Sequence, residues 1–248
     1  MTRPVLVIAC GAIARELVRI RDMNGWDHIE FQCLPAELHN TPEKIPAAVR
    51  AKIESEGGRF SKVFVAYADC GTGGLLDKAL DEYGIERIPG AHCYEFYAGS
   101  QAFHELAEAE PGSFYLTDFL VHHFERLVIR GLGLDRQPQL MPMYFGNYKR
   151  VVYLAQTDSQ KLQSMAMKYA DFLGLEYCYH YHGDQPLALL LKPALGRIRH
   201  GKIDDHLLAG YPGPGCRAAG PEAPQTGTFE TVCGGDRSCR HARRAWFQ

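Results

Sequence analysis

No stretch of this 248-residue chain is apolar over anything near the ~20 residues that a membrane-spanning helix needs. Charge of one sign is not in excess either: 27 Lys and Arg stand against 29 Asp and Glu, a formal net charge of -2. That balance gives no electrostatic footprint for nucleic acid. No two cysteines form a CxxC pair, no lysine completes a Walker-type glycine loop, and no GxGxxG spacing or fixed-period repeat occurs. A ready-made nucleotide motif is therefore missing. So is a clear export signal: the apolar run near the N-terminus is followed at once by Arg15, Glu16, Arg19 and Arg21, with no separate small-residue cleavage site. The expectation is a soluble, cytoplasmic protein that contacts neither membrane nor nucleic acid.

What is present is an ordinary globular composition, 46% hydrophobic and 23% charged, sufficient for one large domain or two small ones. Short apolar runs alternate with helical spacing. Strands are predicted at Val5–Cys10, Ile29–Leu34, Val63–Asp69, Ile85–Ile88, Ser113–Thr117, Arg150–Gln156 and Glu176–Tyr181, with Leu187–Leu191 as an eighth strand or a continuation. Helices fall between them, and Asn24-Gly25, Gly57-Gly58, Gly84, Pro111-Gly112 and Gly174 mark their ends. Alternation with short connections predicts an α/β fold with a mostly parallel, doubly wound, Rossmann-like sheet. Residues 1–210 form the α/β domain in this reading, divisible into two Rossmann-like lobes (1–110 and 111–210). Residues 211–248, rich in Gly, Pro and Arg, read as a disordered tail.

The chain is organised around Lys62 to Gly74, KVFVAYADCGTGG. A buried strand ends in Asp69 and Cys70, and Gly71, Thr72, Gly73 and Gly74 then open a helix. Such a turn permits close backbone approach and aims free N–H groups at an anion, so these four residues are the expected ligand- or cofactor-binding turn. In a parallel sheet the carboxyl ends of all strands lie on one edge, where ligands sit. The first four predicted strands or their exits each carry a cysteine there: Cys10, Cys33, Cys70 and Cys93. Topology thus gathers thiols that are far apart in sequence. His39, in the loop after Cys33, and His92, before Cys93, place imidazoles on the same edge. Thiolate and imidazole together suit zinc, and three or four thiolates suit an iron–sulfur cluster. Cys10, Cys70, Cys93, Cys33 and His39 are the expected metal ligands; Asp69, His92 and Asp118 are the expected catalytic groups. Free cysteine also serves as a small buried apolar residue, the expected role of Cys178.

The segments IACGAIARE, LPAELHNTPEKIP, VAYADCGTGGLLD, IPGAHCYEFYAG, FYLTDFLVHHF and YFGNYKRVVYLAQT resemble the family catalogued as domain of unknown function 1638, over about residues 5 to 195. The resemblance implies no established activity. Members of that family tend to accompany corrinoid-dependent methyltransferases and one-carbon enzymes, which implies, by association alone, a role in methyl transfer. The leading expectation is a zinc- or iron–sulfur-dependent enzyme acting on a small molecule, with corrinoid methyltransferase components as partners. Two other readings stand beside it: a metal-free accessory or binding protein of such a system, and a thiol enzyme with Cys70 as nucleophile.

Overall fold

The structure, a computed structural model, describes residues 4–195 and 215–217. Two parallel sheets, each flanked by helices, form two Rossmann-like lobes. In the first, β1 (Val5–Cys10) lies between β2 (Ile29–Leu34) and β3 (Lys62–Ala66), giving the order β2-β1-β3. In the second, β4 (Ser113–Thr117), β5 (Arg150–Ala155) and β6 (Glu176–Tyr181) run in simple succession. A short strand, β7 (Gly215–Arg217), joins β6 antiparallel. It falls within the segment read from sequence as a tail; the remainder of that tail lies outside the described residues.

The elements form where apolar spacing and end signals agree. Helix α1 (Ala14–Asn24) follows a 3-10 turn at Gly11–Ile13, and Ile13, Leu17 and Ile20 are all buried against the sheet. Burying each contributes about 1.5–3 kcal/mol relative to exposure. Gly25, at φ 61°, ends the helix and donates its N–H to the carbonyls of Arg21 and Asp22. Helix α2 (Ile45–Glu56) buries Ile45, Val49 and Ile53 in the same way. In the second lobe Ser159 caps α8 (Gln160–Leu173) by accepting the N–H of Leu162, and Gly174 closes it in the left-handed region.

Two expected strands differ. Ile85–Ile88 makes only a parallel bridge between Val65 and Arg87, because Val65 N–H donates to the Glu86 carbonyl and Ile88 N–H to the Val65 carbonyl before the chain turns away. Leu187–Leu191 belongs to a helix, α9 (Gln185–Leu195), whose second residue is Pro186. A short apolar run fits a buried strand and a buried helix equally well, and proline in the first helical turn tips it to the helix.

Between β3 and β4 lie α3 (Leu75–Asp81), α4 (Tyr94–Ala98) and α5 (Ser100–Ala109). After β4 comes α6 (Asp118–Phe124), continued by a π-helical turn through Arg130, and then α7 (Met141–Phe145). The lobes share apolar packing: Tyr115 of β4 stacks near Tyr94 and Phe103, with ring centroids 5.2 Å apart in each pair. Arg126 pairs with Glu37, and Arg19 forms a bidentate ion pair with Asp184, so both tie the first lobe to the second. The described helices include none long and apolar enough to cross a membrane.

Candidate metal centre and adjoining cleft

The pairing register carries the site's first residues to one place. Ala9 of β1 faces Cys33 on one side and Ala66 on the other. Cys10 therefore ends the central strand beside Tyr67, the residue that follows Ala66. Close approach matters here: a Cβ on Gly11 would lie 3.1 Å from the Leu34 carbonyl oxygen, so glycine lets the exits of β1 and β2 pass each other. The β2 exit winds through a 3-10 stretch, Ala36–Asn40, that turns His39 inward.

Cys70 and Cys93 are brought together by main chain. Asp69 N–H donates to the Gly90 carbonyl at 3.1 Å, and Cys70 N–H to that of Ala91 at 2.9 Å. Arg87 braces the second loop through an ion pair with Asp77 and hydrogen bonds to the carbonyls of Ile88 and Gly90. Cys70 itself has φ 50°, in the left-handed region that a non-glycine residue rarely adopts. Backbone of that kind persists where surrounding structure enforces it, and it concentrates at functional sites.

The result is a compact group. One ligand atom each from His39, Cys70 and Cys93 lies within 4.8 Å of the others. His39 Nδ1 lies 3.1 Å from the Ala36 carbonyl oxygen, which can only accept, so Nδ1 carries a proton and Nε2, a buried atom, is the nitrogen that a metal would take. Cys10 Sγ is 3.7 Å from the same Nδ1 and accepts the N–H of Ala12 at 3.3 Å. Tyr67 stacks on His39, and its hydroxyl is buried. Burial, with the nearby Cys10 and Cys70 sulfurs, pushes the Tyr67 hydroxyl far up.

The thiols are strongly differentiated. The hydrogen bond from Cys93 holds the Cys70 thiol well below the ordinary range; burial opposes this, and His39 reinforces it. The same hydrogen bond and burial push Cys93 well above it. Burial disfavours a charged His39, yet the Cys10 and Cys70 sulfurs outweigh that and raise it well above its usual value. A proton shared among two sulfurs and an imidazole is what a divalent soft cation would displace.

The other expected site residues are placed differently. Cys33 sits one residue before the end of β2, the edge strand of its sheet, and is exposed there, outside the group of three. His92 is half-buried beside Tyr94, at 6.4 Å between ring centroids, and outside the ligand group. Asp69 takes the donors of the glycine turn for itself. Its carboxylate accepts the Thr72 hydroxyl (2.6 Å), the Gly74 N–H (2.8 Å) and the Gly73 N–H (3.0 Å). Partial burial opposes ionisation, but these bonds keep the Asp69 carboxyl below its ordinary range. The turn of Gly71, Thr72, Gly73 and Gly74 is thus filled by the protein's own carboxylate, which occupies the place expected for a cofactor anion. Cys178 is wholly buried, as expected, but it is disulfide-bonded; its backbone partner across β6 and β7 is Cys216.

Asp118 starts α6 at the carboxyl end of the second sheet. Its Oδ1 accepts the Tyr153 hydroxyl (2.7 Å) and the Gln156 N–H (3.1 Å), while its own N–H donates to Gln156 Oε1 (2.9 Å). It lines a cleft of about 270 Å³ with Ala12, Arg15, Glu16, Arg19, His122 and Lys161. Tyr97 joins the two regions: its hydroxyl donates to the Ala12 carbonyl at 3.3 Å, and it lies in the field of both Glu16 and Cys93. Glu16 is the residue sequence reasoning missed. Its place three residues after Ile13 and four before Ile20, on the buried face of α1, was the available signal.

The fold and site define a two-lobed α/β protein with a Cys/His group, Cys70 buried and His39 and Cys93 half-buried, at the carboxyl edge of its first sheet. A sequence profile of the family described as "Protein of unknown function (DUF1638)" matches residues 33–185, and the chain belongs to that family. No curated protein and no solved structure matches it significantly.

Proposed function

We propose that His39, Cys70 and Cys93 hold a zinc-type ion and that the protein is a metal-dependent enzyme acting on a small molecule. The observation that carries this is the set of three ligand atoms within 4.8 Å at a buried strand edge. Tetrahedral zinc with bonds of about 2.0–2.3 Å sets ligand atoms roughly 3.5–4 Å apart, so a small contraction would bring the three side chains to bonding distance. Thiolates around an iron–sulfur cluster stand farther apart, roughly 6–7 Å, so the spacing supports zinc over a cluster. Three protein ligands leave a fourth position, the pattern of a catalytic rather than a structural zinc site. Bound there, zinc would supply Lewis acidity or hold a substrate thiol as thiolate, the chemistry that methyl transfer to sulfur requires. Methyl transfer, with a corrinoid protein as donor or partner, is the reaction class we assign on the family association.

The test is metal analysis of protein purified without oxygen, with its variants. About one equivalent of zinc is expected in the native chain, and Cys93→Ala should lower occupancy at least about tenfold. Cys10→Ala, whose sulfur contacts His39 without joining the group of three, should retain most of the metal. Native protein with no tightly held transition metal, unchanged after reconstitution, overturns the proposal. In that case fast alkylation of Cys70, whose backbone is held at φ 50°, would favour the thiol enzyme.

A further inference from the structure

The cleft between α1, α6 and the start of α8 contains a group that neither the fold nor the metal centre uses. Glu16 is 4% exposed, and its Oε2 is buried with no hydrogen-bond partner among the described residues. A buried carboxyl oxygen left without a partner is costly, so its persistence calls for a reason. The other acidic groups nearby are already engaged. Asp118 is held by Tyr153 and Gln156, and Asp184 is clamped by Arg19. The cations at the mouth are Arg15 and Lys161, and His122 stands on the α6 side. The first turn of α8 opens on the same space through Ser159, Lys161 and Leu162. With Glu16 protonated, the charges of Arg15, Arg19 and Lys161 exceed those of Asp118 and Asp184 by one. A single negative charge neutralises the cleft.

We propose that this cleft is a binding site for a small monocarboxylate, with the Glu16 carboxyl facing the ligand and donating a hydrogen bond to its carboxylate. Arg15, Lys161 and the positive end of α8 supply the attraction. A neutral carboxylic acid is the right donor: its one O–H gives the unpartnered Oε2 a bond and adds no like charge. Burial is the main cause that raises Glu16 to about 7; a hydrogen bond from its own backbone N–H opposes this, as does Arg19, while Asp184 and Asp118 add to it. The acid is therefore available to donate near neutrality. Titratable or charged neighbours from every packed element are Arg15 and Arg19 of α1, Tyr97 of α4, Asp118 and His122 of α6, Lys161 of α8 and Asp184 before α9. The inference does not depend on the metal, so metal-stripped protein is expected to bind equally.

The test titrates the full chain, metal-stripped and metal-loaded, with acetate, propionate and butyrate, and with inorganic phosphate as the competing anion. Saturable carboxylate binding is expected below pH 7, weakening about tenfold or more once Glu16 ionises. Glu16→Gln keeps a donor, so its binding should lose the pH response. The double variant Arg15→Ala and Lys161→Ala should bind about tenfold more weakly at an unchanged thermal midpoint. A carboxyl carbon-13 titration gives a readout that needs no variant: propionate should move the Glu16 ionisation to higher pH, by the reciprocity of linked equilibria. No saturable binding of any carboxylate up to about 50 mM overturns the proposal. So does selective binding of phosphate, a Glu16 ionisation that propionate leaves unmoved, or an unchanged pH response in Glu16→Gln.

Discussion

The two sheets end in different ways. In the first, the order β2-β1-β3 sends successive connections to opposite sides of β1, so the chain diverges at the carboxyl end of the central strand. A crevice opens at such a reversal, and that is where α/β proteins bind ligands. Cys10, Tyr67 and Cys70 lie there. In the second, β4, β5 and β6 follow one another without reversal, and bonds among Asp118, Tyr153 and Gln156 tie the carboxyl ends of β4 and β5 into one wall of the cleft. The contrast extends to the two carboxyl groups of the cleft. Asp118 accepts two hydrogen bonds on its Oδ1, whereas Glu16 carries a buried oxygen with no partner among the described residues. One lobe supplies reactive groups and the other a rigid wall.

Three measurements press on this contrast, from the largest expected effect to the smallest. The first concerns Glu16. Its native pKa of about 7 exceeds the ordinary 4.5, so folded protein keeps a proton that the unfolded chain has released. Stability should therefore fall as pH rises between these values and level off above about 7. The full loss is about 3 kcal/mol at about 1.4 kcal/mol per pH unit. Glu16→Gln should remove that slope in denaturant titrations run at several pH values. An unchanged slope would mean that Glu16 is as well solvated as any surface acid.

The second targets the wall. Tyr153→Phe deletes the hydroxyl that donates to the buried Asp118 carboxylate, and about 2 kcal/mol of stability should go with it. Thermal unfolding within error of the parent would show that the second edge is no more saturated than the first. The third tests the glycine turn. Asp69→Ala removes an acceptor of three hydrogen bonds but leaves both sulfur-bearing loops in place, so a loss of about 1 kcal/mol is expected with zinc content retained. Zinc lost along with Asp69 would make that carboxylate part of the site.

The sequence was legible wherever one period and one stop signal agreed. Strands β1, β2 and β4 to β6, and helices α1 and α8 with Gly25 and Gly174 at their ends, follow from that agreement. Cys93 is carried to the group by main-chain bonds at Gly90 and Ala91, but that Cys10, Cys70 and His39 share one edge followed from the parallel topology. Finer placement did not. Cys33 shares a strand face with the buried Ile29 yet is exposed, because β2 is the edge strand of its sheet, and strand order is not written in the local pattern. The glycine turn looked like an anion cradle because its own anion, Asp69, stands only two residues before Gly71. Glu16 was hidden because a glutamate beside three arginines in sequence reads as surface charge until its helix is docked.

The bonds from Asp69 and Cys70 to Gly90 and Ala91 have one more consequence. They act as a clasp that closes a detour of chain containing α3. The gap between the two sulfurs is then set by the register of that clasp, and the number of residues in the detour does not enter. The detour can lengthen or shorten on the outer side without disturbing the ligands. A search for fixed cysteine spacing would pass over such a site, whereas one for paired strand exits would find it.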